Sequence, residues 1–183
     1  MTKLIAITGS PGAGKTTVAQ GIRDKMNTDT TNLVSVGDLV RNAMTQGMSN
    51  EWMALGNLAP EKQVRSMVLG EIVHSFNEGW DVILDGMPRT KDQVVWLKEI
   101  TERFGIELHV IYISAQESVS MERMDARKRD GDEFAEIRLA KSMKQLTRTL
   151  AKALTDTNCE VYGSEDHTAE EIAYDIVHNL RLY

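Results

Sequence analysis

The chain carries one cysteine, Cys159, and only three prolines in 183 residues. A lone thiol excludes an intramolecular disulfide framework and a four-cysteine zinc site, and it fits a reducing compartment, so a cytoplasmic protein is expected. No apolar run approaches the roughly 18 residues of a membrane-spanning helix. The N-terminal apolar segment is one strand long and lacks the shape of a signal peptide, so no membrane partner is expected. Positive charge is in short supply as well. The 21 Lys and Arg against 27 Asp and Glu give a net charge of -6 and a pI near 5.3, which argues against a nucleic-acid partner. The four histidines, His74, His109, His167 and His178, have no metal-ligand spacing and read as structural. There is no internal repeat, low-complexity tract or Pro/Ser-rich linker, and the ten methionines read as core filler. A chain of 183 residues holds one α/β domain with a sizeable core and is short for two.

What is present starts at Gly9. Residues Gly9 to Thr16, Gly-Ser-Pro-Gly-Ala-Gly-Lys-Thr, match the phosphate-loop pattern G-x-x-x-x-G-K-[ST] in full. The apolar run Leu4 to Ile7 before the loop reads as a buried strand, and Thr17-Val18-Ala19-Gln20 after it opens a helix. In such a loop the backbone N–H groups around Gly12, Ala13 and Gly14 turn toward phosphate oxygens, with Thr17 following on the helix. Lys15 adds a point charge, and Thr16 offers a hydroxyl to Mg2+.

Apolar runs at Leu4–Ile7, Leu33–Val36, Val82–Leu84, Leu108–Ile113 and Cys159–Tyr162 alternate with longer amphipathic segments. That is a βα repeat. It predicts a three-layer α/β fold, a parallel sheet with helices on both faces and ligands at the C-terminal strand ends. Charge is uneven along it. From Arg123 to Lys152 nine Lys/Arg meet five Asp/Glu, +4, while the remainder carries -10. Such a segment either gathers cations around a polyanion or forms a solvated helix face.

The strand Val82-Ile83-Leu84 ends in Asp85 and runs into Gly86-Met87-Pro88-Arg89. Asp85 could cap a turn, but with a phosphate loop in the same chain it is read as the second Mg2+ group beside Thr16. Thr90-Lys91-Asp92-Gln93 also satisfies the local capping pattern T-x-x-Q, in which Gln93 would reach back to the Thr90 backbone.

Over nearly its whole length the chain resembles the nucleoside monophosphate kinases, the adenylate kinase family most closely. The resemblance rests on the phosphate loop, on Ser35-Val36-Gly37-Asp38-Leu39-Val40-Arg41, on Leu55-Gly56-Asn57-Leu58-Ala59-Pro60, and on Asp85 to Gln93, similar to the family's Asp-Gly-Phe-Pro-Arg-x-x-x-Gln. It implies a five-stranded parallel P-loop fold with core 1–36, 61–122 and 139–183, a helical acceptor-binding (NMP) segment at about 37–60 and a short lid at about 123–138. It implies a cis bond before Pro88, and an NMP site formed by Val36, Gly37, Arg41, Gly86, Arg89 and Gln93. There Arg41 and Arg89 hold the acceptor phosphate by bidentate forks, and Gln93 reads the base.

The lid match places Arg123 against the donor adenine and Arg127 and Arg138 on phosphates, with Arg129 in the family's Arg-x-Asp-Asp pattern and Gly163 at the turn meeting the donor base. Ten residues separate Arg127 from Arg138, too few for a zinc-bearing insertion. Two positions depart from the family: Val36 stands where threonine is usual, and Met87 replaces phenylalanine. The amide at Gln93, where kinases of UMP and CMP carry asparagine, selects AMP. The expectation is a monomeric phosphotransferase moving the γ-phosphate of Mg-ATP to AMP, with Lys15, Arg89, Arg123, Arg127, Arg129 and Arg138 neutralising the transferring group. The alternatives are a kinase of dAMP, UMP or CMP, and a nucleotide-binding regulatory or assembly protein without kinase activity.

Overall fold

A computed structural model describes residues 2–54, 57–127, 137, 139–141, 148–157 and 159–182. The chain runs β1 (Lys3–Gly9), α1 (Lys15–Lys25), a 3-10 turn at Thr28–Thr30, β2 (Thr31–Ser35), α2 (Val36–Thr45), α3 (Glu51–Ala54) and α4 (Glu61–Asn77). It continues through β3 (Asp81–Asp85), α5 (Lys91–Phe104), β4 (Glu107–Ser114), α6 (Glu117–Arg127), α7 (Arg148–Thr155), β5 (Glu160–Gly163) and α8 (Ala169–Asn179). The five strands form one parallel sheet in the order β2-β3-β1-β4-β5.

Side-chain alternation along β1 explains the three layers. Leu4 and Ala6 face one side and pack with Val68 and Ile72 of α4, Leu97 of α5 and Leu154 of α7. Ile5 and Ile7 face the other and pack with Val18 and Ile22 of α1 and Ile172 and Ile176 of α8. All four β1 side chains are fully buried, and each large aliphatic group so placed contributes about 1.5–3 kcal/mol. Close approach of α1 to α8 needs a small residue: a Cβ on Gly21 would sit 2.9 Å from the Ala173 Cβ.

Register brings the strand ends level. Ile7 and Ser35 both pair with Asp85, Gly9 with Ile113, and Ser114 with Gly163. The loops that leave this edge therefore converge, and the chain order reverses about β1, which is where parallel sheets hold ligands.

The predicted strands are all present, with two boundary corrections. Val36, read as the end of a strand, is the first residue of α2, because the Ser35 side chain accepts from the Asp38 N–H and starts the helix there. Cys159 precedes β5, and Gly163, read as the turn after it, is its last residue. The expected acceptor segment holds α2 and α3. Of the expected lid, residues 128–136 and 138 lie outside the described residues. No described helix is long and apolar enough to cross a membrane.

Candidate active site

The loop leaving β1 wraps the start of α1. Gly14 is the N-terminal flanking residue and has no side chain with which to cap the first N–H groups of α1, the arrangement that suits an anion at a helix start. Lys15 is buried, and its Nζ donates to the Ser10 carbonyl at 2.6 Å, which folds the lysine back across the loop. Ala13 is fully buried and its N–H closes a turn onto the Ser10 carbonyl. Thr16 and Thr17 are exposed at the same helix start.

The C-terminal end of β4 leads into α6, which lies against the loop. Gly12 has φ +77, and a Cβ there would come within 2.4 Å of the Ser120 carbonyl oxygen. Arg123, one turn further along α6, donates to Ser164 Oγ at 2.9 Å and to the Ser164 carbonyl at 3.0 Å. A Cβ on Gly14 would sit 3.9 Å from the Arg123 guanidinium, so Arg123 links the phosphate loop to the residue after Gly163. Behind the loop, burial pushes the Tyr112 phenol up from its ordinary value, partly offset by its hydrogen bond with Ser10. Burial, then the nearby Glu160 carboxylate, pushes the Cys159 thiol up to about 11. Both groups stay neutral at pH 7 and add no negative charge behind the loop.

The β3 end faces it from the other side of β1. Asp85 is buried and accepts a hydrogen bond from Thr16 Oγ1 at 2.7 Å. These two hard oxygen donors, 69 residues apart in sequence, are the pair that suits Mg2+. Beyond Asp85 the Met87–Pro88 bond is cis, Met87 is buried, and the Thr8 hydroxyl donates to the Pro88 carbonyl. Arg89 follows, its Nε donating to the Gly86 carbonyl at 3.0 Å. A Cβ on Gly86 would be 3.9 Å from both the Arg89 guanidinium and the Val36 Cβ, while one on Gly37 would be 3.3 Å from Arg41, which is ion-paired with Asp38. Val36, Gly37, Arg41, Gly86 and Arg89 thus gather at the C-terminal ends of the paired strands β2 and β3.

Gln93 makes half of the local cap. Thr90 Oγ1 accepts from the Gln93 N–H at 3.2 Å, but the Gln93 side chain accepts from the Arg89 N–H at 2.6 Å, one residue before the position a reciprocal capping box uses. Its Nε2 donates to Glu61 at 3.1 Å. Sequence reasoning passed over Glu61 and Ser164. Glu61 looks like an ordinary acidic residue in a first helical turn, whereas Ser164 was signalled only by its place next to Gly163. Arg127 is the last residue of α6, and Arg129 and Arg138 lie outside the described residues.

A family model described as an AAA domain matches residues 8–138. The adenylate kinase of Helicobacter hepaticus is 37% identical over 147 residues, covering 75% of this chain and 74% of its own. Adenylate kinase 1 of Synechocystis sp. is 32% identical over 145 residues, 75% of each chain. That of Corynebacterium urealyticum is 34% identical over 140 residues, 73% of this chain and 75% of its own. The chain belongs to the adenylate kinase family. It is a nucleoside monophosphate kinase, a phosphotransferase on a P-loop kinase domain.

Within this family frame Gly12 makes a sharp test of how α6 and the loop fit. In Gly12→Ala the methyl group meets the Ser120 backbone at a left-handed φ, so either α6 or the loop must shift. We expect a loss of about 2–3 kcal/mol in a urea melt and a KM for ATP raised about tenfold or more. An alanine variant with parental stability and ATP KM would contradict the fit.

Proposed function

We propose that this enzyme transfers the γ-phosphate of ATP to AMP, reversibly and with Mg2+, giving two ADP. The observation that carries this reading is the 2.7 Å hydrogen bond from Thr16 to Asp85, because it sets the phosphate loop edge to edge with the strand end that leads to Arg89 and Gln93. The donor triphosphate would lie on Gly12, Ala13, Gly14, Lys15, Thr16 and Thr17, with its base between Arg123 and Gly163. The acceptor would lie across Val36, Gly37, Arg41, Gly86, Arg89 and Gln93. The relatives' name, adenylate kinase, supports adenine at both sites.

The chemistry asks for no general base. A phosphate monoester oxygen is already anionic at neutral pH, so the residues need to align acceptor and donor and spread the charge of the transferring group. Lys15, where the loop that follows β1 enters α1, and Arg89, on the loop that follows β3, would both reach toward that group. Arg123 and Arg127 of α6, together with Arg129 and Arg138 of the expected lid, would cover it and keep water from intercepting the phosphoryl group. Mg2+, held beside Thr16 and Asp85, would neutralise phosphate charge.

A coupled assay with Mg-ATP and a panel of AMP, dAMP, UMP and CMP tests the proposal. AMP is expected to give the highest kcat/KM and two ADP per turnover. If no monophosphate raised ADP output above slow ATP hydrolysis, the acceptor site would not be one.

A further inference from the structure

The amide of Gln93 is buried, 5% exposed, and both of its ends are engaged. Oε1 accepts from the Arg89 N–H at 2.6 Å, and Nε2 donates to Glu61 Oε2 at 3.1 Å. Glu61 opens α4, 32 residues earlier. Its other oxygen, Oε1, takes both Arg65 contacts, from Nε at 2.8 Å and from Nη2 at 2.7 Å, which leaves Oε2 for the amide. The Arg65 guanidinium lies over the Trp96 ring at 5.6 Å, so the carboxylate is backed by a cation that is itself placed by an aromatic face.

This arrangement permits one orientation of the amide. Rotated by half a turn, Gln93 would set its NH2 against the Arg89 N–H and its oxygen against the Glu61 carboxylate, two repulsive contacts in a buried place. An amide oxygen has two lone pairs and the NH2 two protons, so one acceptor and one donor remain on a fixed edge. Orientation matters chemically because a 6-aminopurine offers a donor at position 6 and an acceptor at N1, whereas a 6-oxopurine offers the reverse. An amide that can flip serves either base; one that cannot serves one.

We propose that Glu61, backed by Arg65, is a specificity-determining positioning residue that fixes the Gln93 amide and so selects a 6-aminopurine acceptor over its 6-oxo counterpart. This rests on the reading of Gln93 as the acceptor-base reader. The same carboxylate secures the Arg89 backbone through Gln93, which couples base selection to the placement of the phosphate-holding arginine.

AMP and IMP differ only at that edge, so the test compares kcat/KM for the two with Mg-ATP in the parent, Glu61→Ala, Glu61→Gln, Gln93→Ala and the Glu61→Ala/Gln93→Ala double variant. Glu61→Ala is expected to cut the AMP over IMP preference about tenfold, mainly through KM for AMP, with kcat changed less than about threefold. Glu61→Gln keeps an oxygen that can accept from the Gln93 amide and is expected to retain most of the preference. The double variant is expected to lose no more preference than Gln93→Ala alone. If Gln93→Ala abolished the preference while both Glu61 variants kept it, the positioning role would be overturned and the base reader would stand. If Gln93→Ala left the preference intact, both would fall.

Discussion

Replacing Arg89 by alanine is expected to lower kcat about a thousandfold while lowering the melting temperature by only a few degrees. In the fold, Arg89 contributes an Nε hydrogen bond to the Gly86 carbonyl at 3.0 Å, and it is only partly buried. Each such bond is worth about 1 kcal/mol, a few degrees of Tm in a chain of this size, so the partly buried side chain can be removed with the fold intact. Its backbone N–H, which holds Gln93, survives the substitution. In the proposed reaction the guanidinium stands beside Gly86, itself a neighbour of Val36, where the acceptor phosphate would approach the strand end carrying Asp85. A fork of fixed N–H donors there aligns two phosphate oxygens and meets charge as it develops, an effect concentrated in the transition state. Arg89→Lys should recover little of the rate, because a single ammonium cannot reproduce the bidentate geometry. Coupled-assay kcat beside a thermal melt would check this. An alanine variant within tenfold of the parent kcat would remove Arg89 from the transfer step.

The loop after β1 was legible because its signal is local. Gly9 to Thr16 states a backbone path in eight residues, and the alternation of Leu4 to Ile7 states the strand that delivers it. Asp85 was legible for the same reason, as a carboxylate closing an apolar run. Val36 was misread because Leu33 and Val34 continue into it as an apolar series. The overriding signal was Ser35 followed three residues later by Asp38, whose N–H the serine caps. Gln93 shows where sequence reasoning reaches its limit. The pattern T-x-x-Q foretold the Thr90 cap, but the glutamine's own partners depend on Arg89 in a cis-proline loop and on Glu61 of another helix. No periodicity or spacing encodes a contact across 32 residues between side chains on different elements. Arg123 was placed by the family resemblance, and its partner Ser164 became visible only when α6 and β5 were set side by side.

The same reasoning makes Asp85→Asn the cleanest probe of the metal. Asn has the shape of Asp, and its amide oxygen can still accept from Thr16 Oγ1, so the 2.7 Å link between the loop and β3 need not break. The negative charge, however, is gone. Asp85 is 5% exposed, and the asparagine amide fills the same buried space with its acceptor oxygen kept. The metal-free variant is therefore expected to melt no lower than the parent. Turnover should move the other way: kcat/KM for Mg-ATP is expected to fall about a hundredfold to a thousandfold, since the cation loses the one charged protein group assigned to it. The Mg2+ concentration giving half-maximal rate at fixed ATP should rise with it. Thr16→Val, which removes the hydroxyl and leaves the carboxylate, should shift that Mg2+ midpoint in the same direction by less. A rate profile against Mg2+ that is superimposable for Asp85→Asn and the parent would mean that Asp85 serves only as an acceptor for Thr16. The phosphate loop and β3 would then be joined for structural reasons alone.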